Sequence, residues 1–144
     1  MDYLRLTIVT TVTVLTGLLG TGCSKASGSI HVSSKEHGDF TISPDQCGSG
    51  EHENFYGVDL QEGDGDKIIR IIKDPNGGYT LKTNIPGSET AITVYGEVCS
   101  TFDISLAKQS STVNDIRGIE GHAKIDCVID GVKLDADLLF ENCF

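Results

Sequence analysis

Apolar and polar residues alternate along much of the chain after residue 29, and this pattern predicts β-strands. Successive side chains of a strand point to opposite faces, so a half-buried strand shows a period of two. Alternating segments occur at residues 30–32, 40–42, 54–61, 79–83 and 102–106. Residues 91–98 indicate a further strand, whereas the polar residues 109–112 indicate a break. The chain is therefore predicted to consist mainly of strands and turns, without a clear helix.

The segment Lys67–Lys73 contains four isoleucines whose positions fit both a strand and one face of a helix. β-branched side chains favour strands, the segment is short, and turn residues flank it. The residues at 74–78, Asp-Pro-Asn-Gly-Gly, are a strong turn signal, and residues 85–88 turn the chain again. We therefore predict a strand at Lys67–Lys73.

The clearest predicted element is a hairpin around Asp130-Gly131, a two-residue turn signal between alternating segments. Pairing through this turn makes one face entirely apolar: Ile129 opposite Val132, Cys127 opposite Leu134, Ile125 opposite Ala136 and Ala123 opposite Leu138. The other face places Lys124 opposite Asp137, a favourable pair, and Asp126 opposite Asp135, an unfavourable one. About eight short strands with turns predict an all-β fold, a single small antiparallel β-sandwich or barrel.

The first 22 residues have the order of a secretory signal. A short region with Arg5 precedes an apolar stretch at residues 6–19, and small residues follow up to Cys23. The sequence Leu-Leu-Gly-Thr-Gly-Cys at 18–23 resembles the bacterial lipobox. This resemblance implies that Cys23 receives a diacylglyceryl group, that the signal is cut before it, and that the new amino terminus is acylated.

This resemblance to bacterial lipoprotein precursors divides the chain into a signal peptide at 1–22, a lipidated cysteine and short tether at 23–28, and a β-domain at 29–144. Multiple acyl chains anchor a protein stably where one does not. Ser24, rather than Asp, follows the cysteine, which by resemblance to the sorting rule of enteric bacteria favours the outer membrane. The alternatives are an ordinary cleaved signal peptide and an uncleaved membrane helix, although the apolar stretch is shorter than the roughly 20 residues of a span.

Five cysteines occur, and with Cys23 lipidated four remain. An even number of cysteines in an oxidising compartment predicts two disulfides. In the predicted hairpin Cys127 lies near the turn and Cys143 past the open end, about 9 residues or roughly 30 Å apart. A disulfide needs Cα atoms within about 7 Å, so this pairing is disfavoured. We predict Cys47–Cys143 with Cys99–Cys127, and the alternative is Cys47–Cys127 with Cys99–Cys143.

The formal net charge of −10 argues against two kinds of partner. An acidic domain repels phosphates, so the sequence predicts no nucleic-acid binding and no adhesion of the protein surface to anionic headgroups. Membrane attachment must then come from the lipid anchor. The chain has no Trp and only nine Phe and Tyr residues, which does not suggest a large aromatic cleft.

Two groups of acidic residues have the composition of a cation site. The sequence at 62–66, Glu-Gly-Asp-Gly-Asp, invites a calcium interpretation, but Lys67 and Lys73 occupy the obligatory Gly and Glu places of an EF-hand loop. Asp135, Asp137 and Glu141 share the outward face of the last strand. We interpret both groups as solvated surface and predict no metal site.

The histidines and the small nucleophiles form no catalytic motif. The four histidines, His31, His37, His52 and His122, have no partner at zinc spacing. The residues at 47–50, Cys-Gly-Ser-Gly, lack the G-x-S-x-G elbow, and Cys47 is predicted to be bridged. We therefore predict no catalytic residue and no cofactor.

These observations favour a non-enzymatic, lipid-anchored envelope protein that acts as an interaction or structural module. Its partners would be the membrane, through the anchor, and an envelope protein or a small ligand of unknown identity. The placement of the cysteines also resembles the mycobacterial lipoprotein antigens, which implies no enzyme activity. The alternatives are a ligand-carrying β-barrel, which needs an internal apolar cavity, and a hydrolase of envelope polymers, which needs two carboxylates in one cleft.

Overall fold

The computed structural model describes residues 23–144, and the predicted signal segment at 1–22 lies outside the described residues. The described part forms ten antiparallel strands and two 3-10 helices, Gly50–Glu53 and Gly96–Val98. The strands are β1 Lys25–Ser34, β2 Gly38–Ile42, β3 Gln46–Ser49, β4 Gly57–Glu62, β5 Lys67–Lys73, β6 Tyr79–Asn84, β7 Ala91–Tyr95, β8 Cys99–Val113, β9 Ile116–Ile129 and β10 Val132–Cys143. The predicted all-β fold is confirmed.

The strands form two five-stranded sheets with an almost sequential order. The first sheet has the order β2-β1-β10-β9-β8, and the second has the order β3-β4-β5-β6-β7. Because β1 pairs with both β2 and β10, the last strand is joined to the first. The strand order is therefore cyclic and is interrupted only between β2 and β3 and between β7 and β8.

The predicted hairpin is confirmed with its register. β9 and β10 pair so that Cys127 lies opposite Leu134 and Lys124 opposite Asp137. Asp130 and Gly131 both have positive φ, 48° and 81°, as a tight two-residue hairpin turn requires. The register shifts only after Phe140.

The strand β3 crosses the ends of the first sheet's strands. Asp45 accepts a hydrogen bond from the backbone of Ala26 in β1, and Ser49 donates one to the carbonyl of Phe144 at 3.0 Å. Between these two contacts the Cys47–Cys143 disulfide joins the sheets, with 5.0 Å between the Cα atoms. The second disulfide, Cys99–Cys127, joins β8 to β9 within the first sheet, with 4.2 Å between the Cα atoms. The predicted disulfide pairing is confirmed.

Apolar side chains from both sheets fill the space between them. Those with no exposed surface come from the first sheet's β1, β2, β9 and β10 and the second sheet's β4, β5, β6 and β7: Ile30, Val32, Ile42, Ile119, Ala123, Leu138, Val58, Leu60, Ile69, Ile71, Leu81 and Val94. Burial of one such valine, leucine or isoleucine side chain contributes about 1.5–3 kcal/mol to folding. In Lys67–Lys73 two of the four isoleucines, Ile69 and Ile71, face this core, so the predicted strand is confirmed.

The strand β8 continues through residues 109–112, where the sequence predicted a break, so that prediction was wrong. These residues lie inside β8, which pairs with β9 up to Val113 opposite Ile116. Asn114 and Asp115 close the hairpin with positive φ, 49° and 66°. The pairing is irregular there, because the register shifts between Lys108, opposite Ile119, and Thr112, opposite Arg117. Most side chains in this part of β8 are exposed. This end of the hairpin extends past Ile119, the last β9 residue opposite β10.

Other boundaries also differ from the sequence pattern. Lys25 to Gly28, expected in the tether, belong to β1, where Gly28 lies opposite Leu138. β4 begins at Gly57 rather than at residue 54, and β7 ends at Tyr95 rather than at residue 98. β3 was not predicted, because its four residues are too short to show alternation. Among residues 23–144, no helix is long and apolar enough to cross a membrane.

Candidate functional site

A short loop between β3 and β4 positions two aromatic side chains at the surface. Ser49 caps the 3-10 helix Gly50–Glu53 by accepting a hydrogen bond from the backbone N–H of Glu51. Asn54 ends this helix in the left-handed conformation, φ 63°, which Asn tolerates better than most residues. Phe55 and Tyr56 follow directly, both half-buried, before β4 begins.

The ring of Phe55 is held by two glycines and an arginine. A Cβ atom on Gly57 would lie 2.9 Å from the Phe55 ring, and one on Gly50 would overlap the ring, so only glycine leaves room for it there. The guanidinium carbon of Arg70 lies 4.7 Å from the centre of the same ring, a cation–π distance. Phe55 is thus fixed before any ligand arrives.

Arg70 is itself held by two carboxylates. Its Nε and Nη2 donate to the two oxygens of Asp59 at 2.7 and 2.6 Å, and Nη2 also donates to Glu53 at 2.6 Å. The hydrogen bond to Asp59 is the main cause that raises the pKa of Arg70 above its ordinary value. A forked arginine–carboxylate pair fixes geometry as well as charge.

Tyr56 lies beside two lysines. The ammonium of Lys108, from β8, is 5.2 Å from the ring centre of Tyr56 and 2.6 Å from the carboxylate of Glu51. The ammonium of Lys73, from β5, is 5.8 Å from the same ring and 5.9 Å from the ring of Tyr79. The backbone N–H of Lys73 donates to the carbonyl of Tyr56 at 2.8 Å, which fixes the loop against β5.

Two surface hollows adjoin these rings and share Asn54, Phe55 and Tyr56 as lining. One, of about 320 Å³, is completed by Glu51 and Lys108. The other, of about 570 Å³, is completed by the four residues from Ile72 to Pro75. We call this surface, residues 51 and 54–56 with 72–75 and Lys108, the aromatic shelf.

A second depression lies on the outer face of the first sheet, and we call it the sheet groove. It has a volume of about 500 Å³. Its lining comes from β1, β8, β9 and β10: Lys25, Ser27, Ser105, Ala107, Glu120, Gly121, His122, Leu139, Phe140 and Glu141. Leu139, 60 % exposed, lies between Ser27 and His122 in neighbouring strands. The groove therefore lies beside the first residues of β1.

Cys23, the predicted lipidation site, is exposed and separated from β1 by Ser24 alone. The other four cysteines form the two disulfides, so Cys47 has no thiol that could act as a nucleophile.

The acidic turn at residues 62–66 uses its first carboxylate internally. Glu62 accepts hydrogen bonds from the ammonium of Lys67 and from the backbone N–H of Ser43, both at 2.6 Å. These donors, Lys67 first, lower the pKa of Glu62. Both interactions favour the charged carboxylate and explain how the turn between β4 and β5 is closed.

The remaining sequence candidates are spread over the first sheet and its edges. His31 lies 3.0 Å from the hydroxyl of Thr41, and His122 lies 3.3 Å from Asp103. Asp135 and Asp137 project from β10 and are exposed, while Glu141 lines the sheet groove. Within residues 23–144 no three His, Cys, Asp or Glu side chains are grouped as a metal ion would need.

Sequence reasoning missed the aromatic shelf. Its members come from three separate parts of the chain, residues 51–56, 72–75 and 108, so no local sequence motif indicates it. The one local signal was the pair Phe55-Tyr56 after a glycine-rich segment. No family model, no curated protein and no solved structure matches this chain.

Proposed function

We propose that this chain is a lipid-anchored protein of the bacterial cell envelope whose β-domain binds a partner or ligand without catalysing a reaction. The observation that carries the proposal is the placement of Cys23. It follows a signal-like segment, its thiol is exposed, and one residue separates it from the first strand of the domain.

The position of β1 supports an anchor that holds the domain close to the bilayer. β1 lies inside the first sheet, paired with β2 on one side and with β10 on the other. A tether of Ser24 alone spans only about 3.5 Å. The acidic surface, with a net charge of −10, gives no attraction to anionic headgroups, so the acyl chains would supply the attachment.

Two features support binding at the surface rather than inside the sandwich. The space between the sheets holds closely packed apolar side chains, many with no exposed area. The aromatic shelf, in contrast, combines half-buried rings with polar groups in open hollows, as ligand sites commonly do.

The direct test is the intact mass of the chain after expression in a bacterium that processes lipoproteins. We expect a mass that begins at Cys23 and carries acyl chains, with the protein in the outer-membrane fraction. Cys23→Ser should lose the acyl mass and leave that fraction, whereas the control Ser24→Ala should keep both. Ser24→Asp should shift the protein to the inner membrane if the enteric sorting rule applies.

An unacylated mass for the wild-type chain would overturn the anchor. Four cysteines that alkylate only after reduction are also expected, because the two disulfides use Cys47, Cys99, Cys127 and Cys143. Partner capture from solubilised envelopes then addresses the binding role, and repeated failure to enrich any envelope component would count against it.

A further inference from the structure

We propose that the aromatic shelf binds a short neutral saccharide. This inference rests on the proposed function, because it names the ligand class of the binding module. It depends on four properties of the shelf: fixed aromatic rings, two adjoining hollows, balanced charge, and hydrogen-bonding groups of both kinds.

Tyr56 offers a stacking surface for the apolar face of a sugar ring, because the lysines beside its ring are exposed and can move aside. The ring of Phe55 is already covered by Arg70 and by glycine backbone, so it supports the site without stacking on the sugar. Phe55 packs against Gly50 and Gly57 under Arg70, and Arg70 is clamped by Asp59. These contacts hold the loop that carries the neighbouring Tyr56, and a site that is ordered before binding loses little freedom when a ligand binds, which lowers the entropic cost of binding. The C–H groups on one face of a pyranose carry little polarity and suit the electron-rich face of an aromatic ring.

The charges of the shelf favour an uncharged ligand. The lining contains two cations, Lys73 and Lys108, and two anions, Glu51 and Asp74. They cancel within a protein whose net charge is −10, so the shelf neither attracts nor repels charged molecules strongly. Lys108 is paired with Glu51, and Asp74 accepts a hydrogen bond from Thr80 at 3.0 Å.

The polar groups suit hydroxyls, which both donate and accept hydrogen bonds. The exposed side-chain amide of Asn54 can do both, the carboxylates of Glu51 and Asp74 accept, and the ammonium of Lys73 donates. The exposed lysine side chains can leave the ring of Tyr56 and donate to a sugar instead.

The size of the hollows sets the length of the ligand. They measure about 320 and 570 Å³ and share Asn54, Phe55 and Tyr56 as lining. Each falls within the range of roughly 300–1,000 Å³ found for small-molecule sites. A chain of two or three sugar rings fits this arrangement.

The test is an NMR titration of the full chain, purified in a detergent without a sugar headgroup. The probes are two neutral trisaccharides, N,N′,N″-triacetylchitotriose and maltotriose, and the acidic trigalacturonate, each raised to about 10 mM so that weak binding at the millimolar level is detected. We expect at least one neutral probe to shift the amide signals of residues 54–56 and 73–75, with the acidic probe weaker.

Two variants and a control distinguish binding at the aromatic shelf from unspecific effects of a substitution. Tyr56→Ala removes a stacking ring and should weaken binding about tenfold. Because Tyr56 also packs against the core, Asn54→Gly is the second variant, since glycine keeps the positive φ and removes only the amide. The control Tyr95→Ala removes a tyrosine that is 55 % exposed and outside the shelf, and it should leave binding unchanged.

Absence of shifts with both neutral probes, or a stronger response to the acidic probe, overturns the proposal. Equal weakening by Tyr95→Ala and Tyr56→Ala does so as well. If Cys23 is acylated but no saccharide binds, the saccharide proposal fails and the lipid-anchor proposal stands. If a saccharide binds but the chain is not acylated, the lipid-anchor proposal fails and the saccharide proposal stands.

Discussion

At the scale of single residues, glycines determine where the aromatic rings of this protein lie. Four of the five phenylalanines rest on positions where a Cβ atom would crowd the ring: Phe55 on Gly50 and Gly57, Phe102 on Gly96, Phe140 on Gly121, and Phe144 on Gly118. Because glycine has no Cβ, a flat ring can lie directly on its backbone. Each such contact buries apolar surface of the ring.

Gly57→Ala tests this arrangement at the aromatic shelf. A Cβ there would overlap the carbonyl oxygen of Ile71 and crowd Phe55, and the backbone oxygen cannot move aside. We expect a loss of about 3 kcal/mol in the free energy of unfolding, measured by urea denaturation. The control Gly48→Ala, whose Cβ would meet only the Phe144 oxygen at 3.7 Å, should change it by less than about 0.5 kcal/mol. Equal losses in both variants would refute the argument.

Residue contacts of this kind could not be predicted from the sequence. Gly57 and Phe55 are close in the chain, but Arg70 reaches the Phe55 ring from β5 and Lys108 reaches the Tyr56 ring from β8. Which charged residue covers which ring depends on how the two sheets are packed. Alternation along a strand gives its inward face and leaves the packing of the sheets open.

At the scale of elements, hairpins with a specific turn were predictable and polar strands were not. The register of β9 and β10 as far as Phe140 follows from Asp130-Gly131, because a two-residue turn fixes the pairs of the strands that it joins. The end of β8 could not be predicted, since residues 109–112 show no apolar face and the register of β8 against β9 shifts among them.

An ion pair in the hairpin of β4 and β5 should make the stability of the protein depend on pH. Glu62 and Lys67 are opposite each other at its closed end, and their contact lowers the pKa of Glu62. The folded state thus favours the charged carboxylate. Its contribution to stability is present above the usual glutamate pKa of about 4.3 and is lost as the pH falls through the lowered value.

Lys67→Met should therefore raise the pKa of Glu62 part of the way to its usual value, because the Ser43 N–H remains. It should also reduce the dependence of the unfolding free energy on pH in the acid range. Both are measurable, by NMR titration of the carboxyl and by urea denaturation across pH. Lys133→Met, on the exposed face of β10, is the control. An unchanged Glu62 titration in Lys67→Met would contradict the prediction.

At the scale of the whole molecule, the C-terminal end of the chain is joined to earlier parts in three ways, once to β1 and twice to β3. β1 pairs with β10 over its full length, Cys47 is bonded to Cys143, and the Phe144 carbonyl accepts a hydrogen bond from Ser49. Of the two disulfides, Cys47–Cys143 closes the longer loop, because 96 residues separate its cysteines. The disulfide thus fixes β3, the first strand of the second sheet, to β10, the last strand of the chain.

Removing the two disulfides should therefore have unequal effects. On the chain-entropy model the Cys47–Cys143 bond contributes about 4.7 kcal/mol and the Cys99–Cys127 bond about 3.6 kcal/mol. The first also joins two sheets, whereas the second joins strands that already share many backbone hydrogen bonds. Urea denaturation of the two double alanine variants should thus show the larger loss for Cys47→Ala with Cys143→Ala. A larger loss from the Cys99 and Cys127 pair would mean that the β8–β9 hairpin, rather than the closure of β1 onto β10 and β3, limits the stability of the domain.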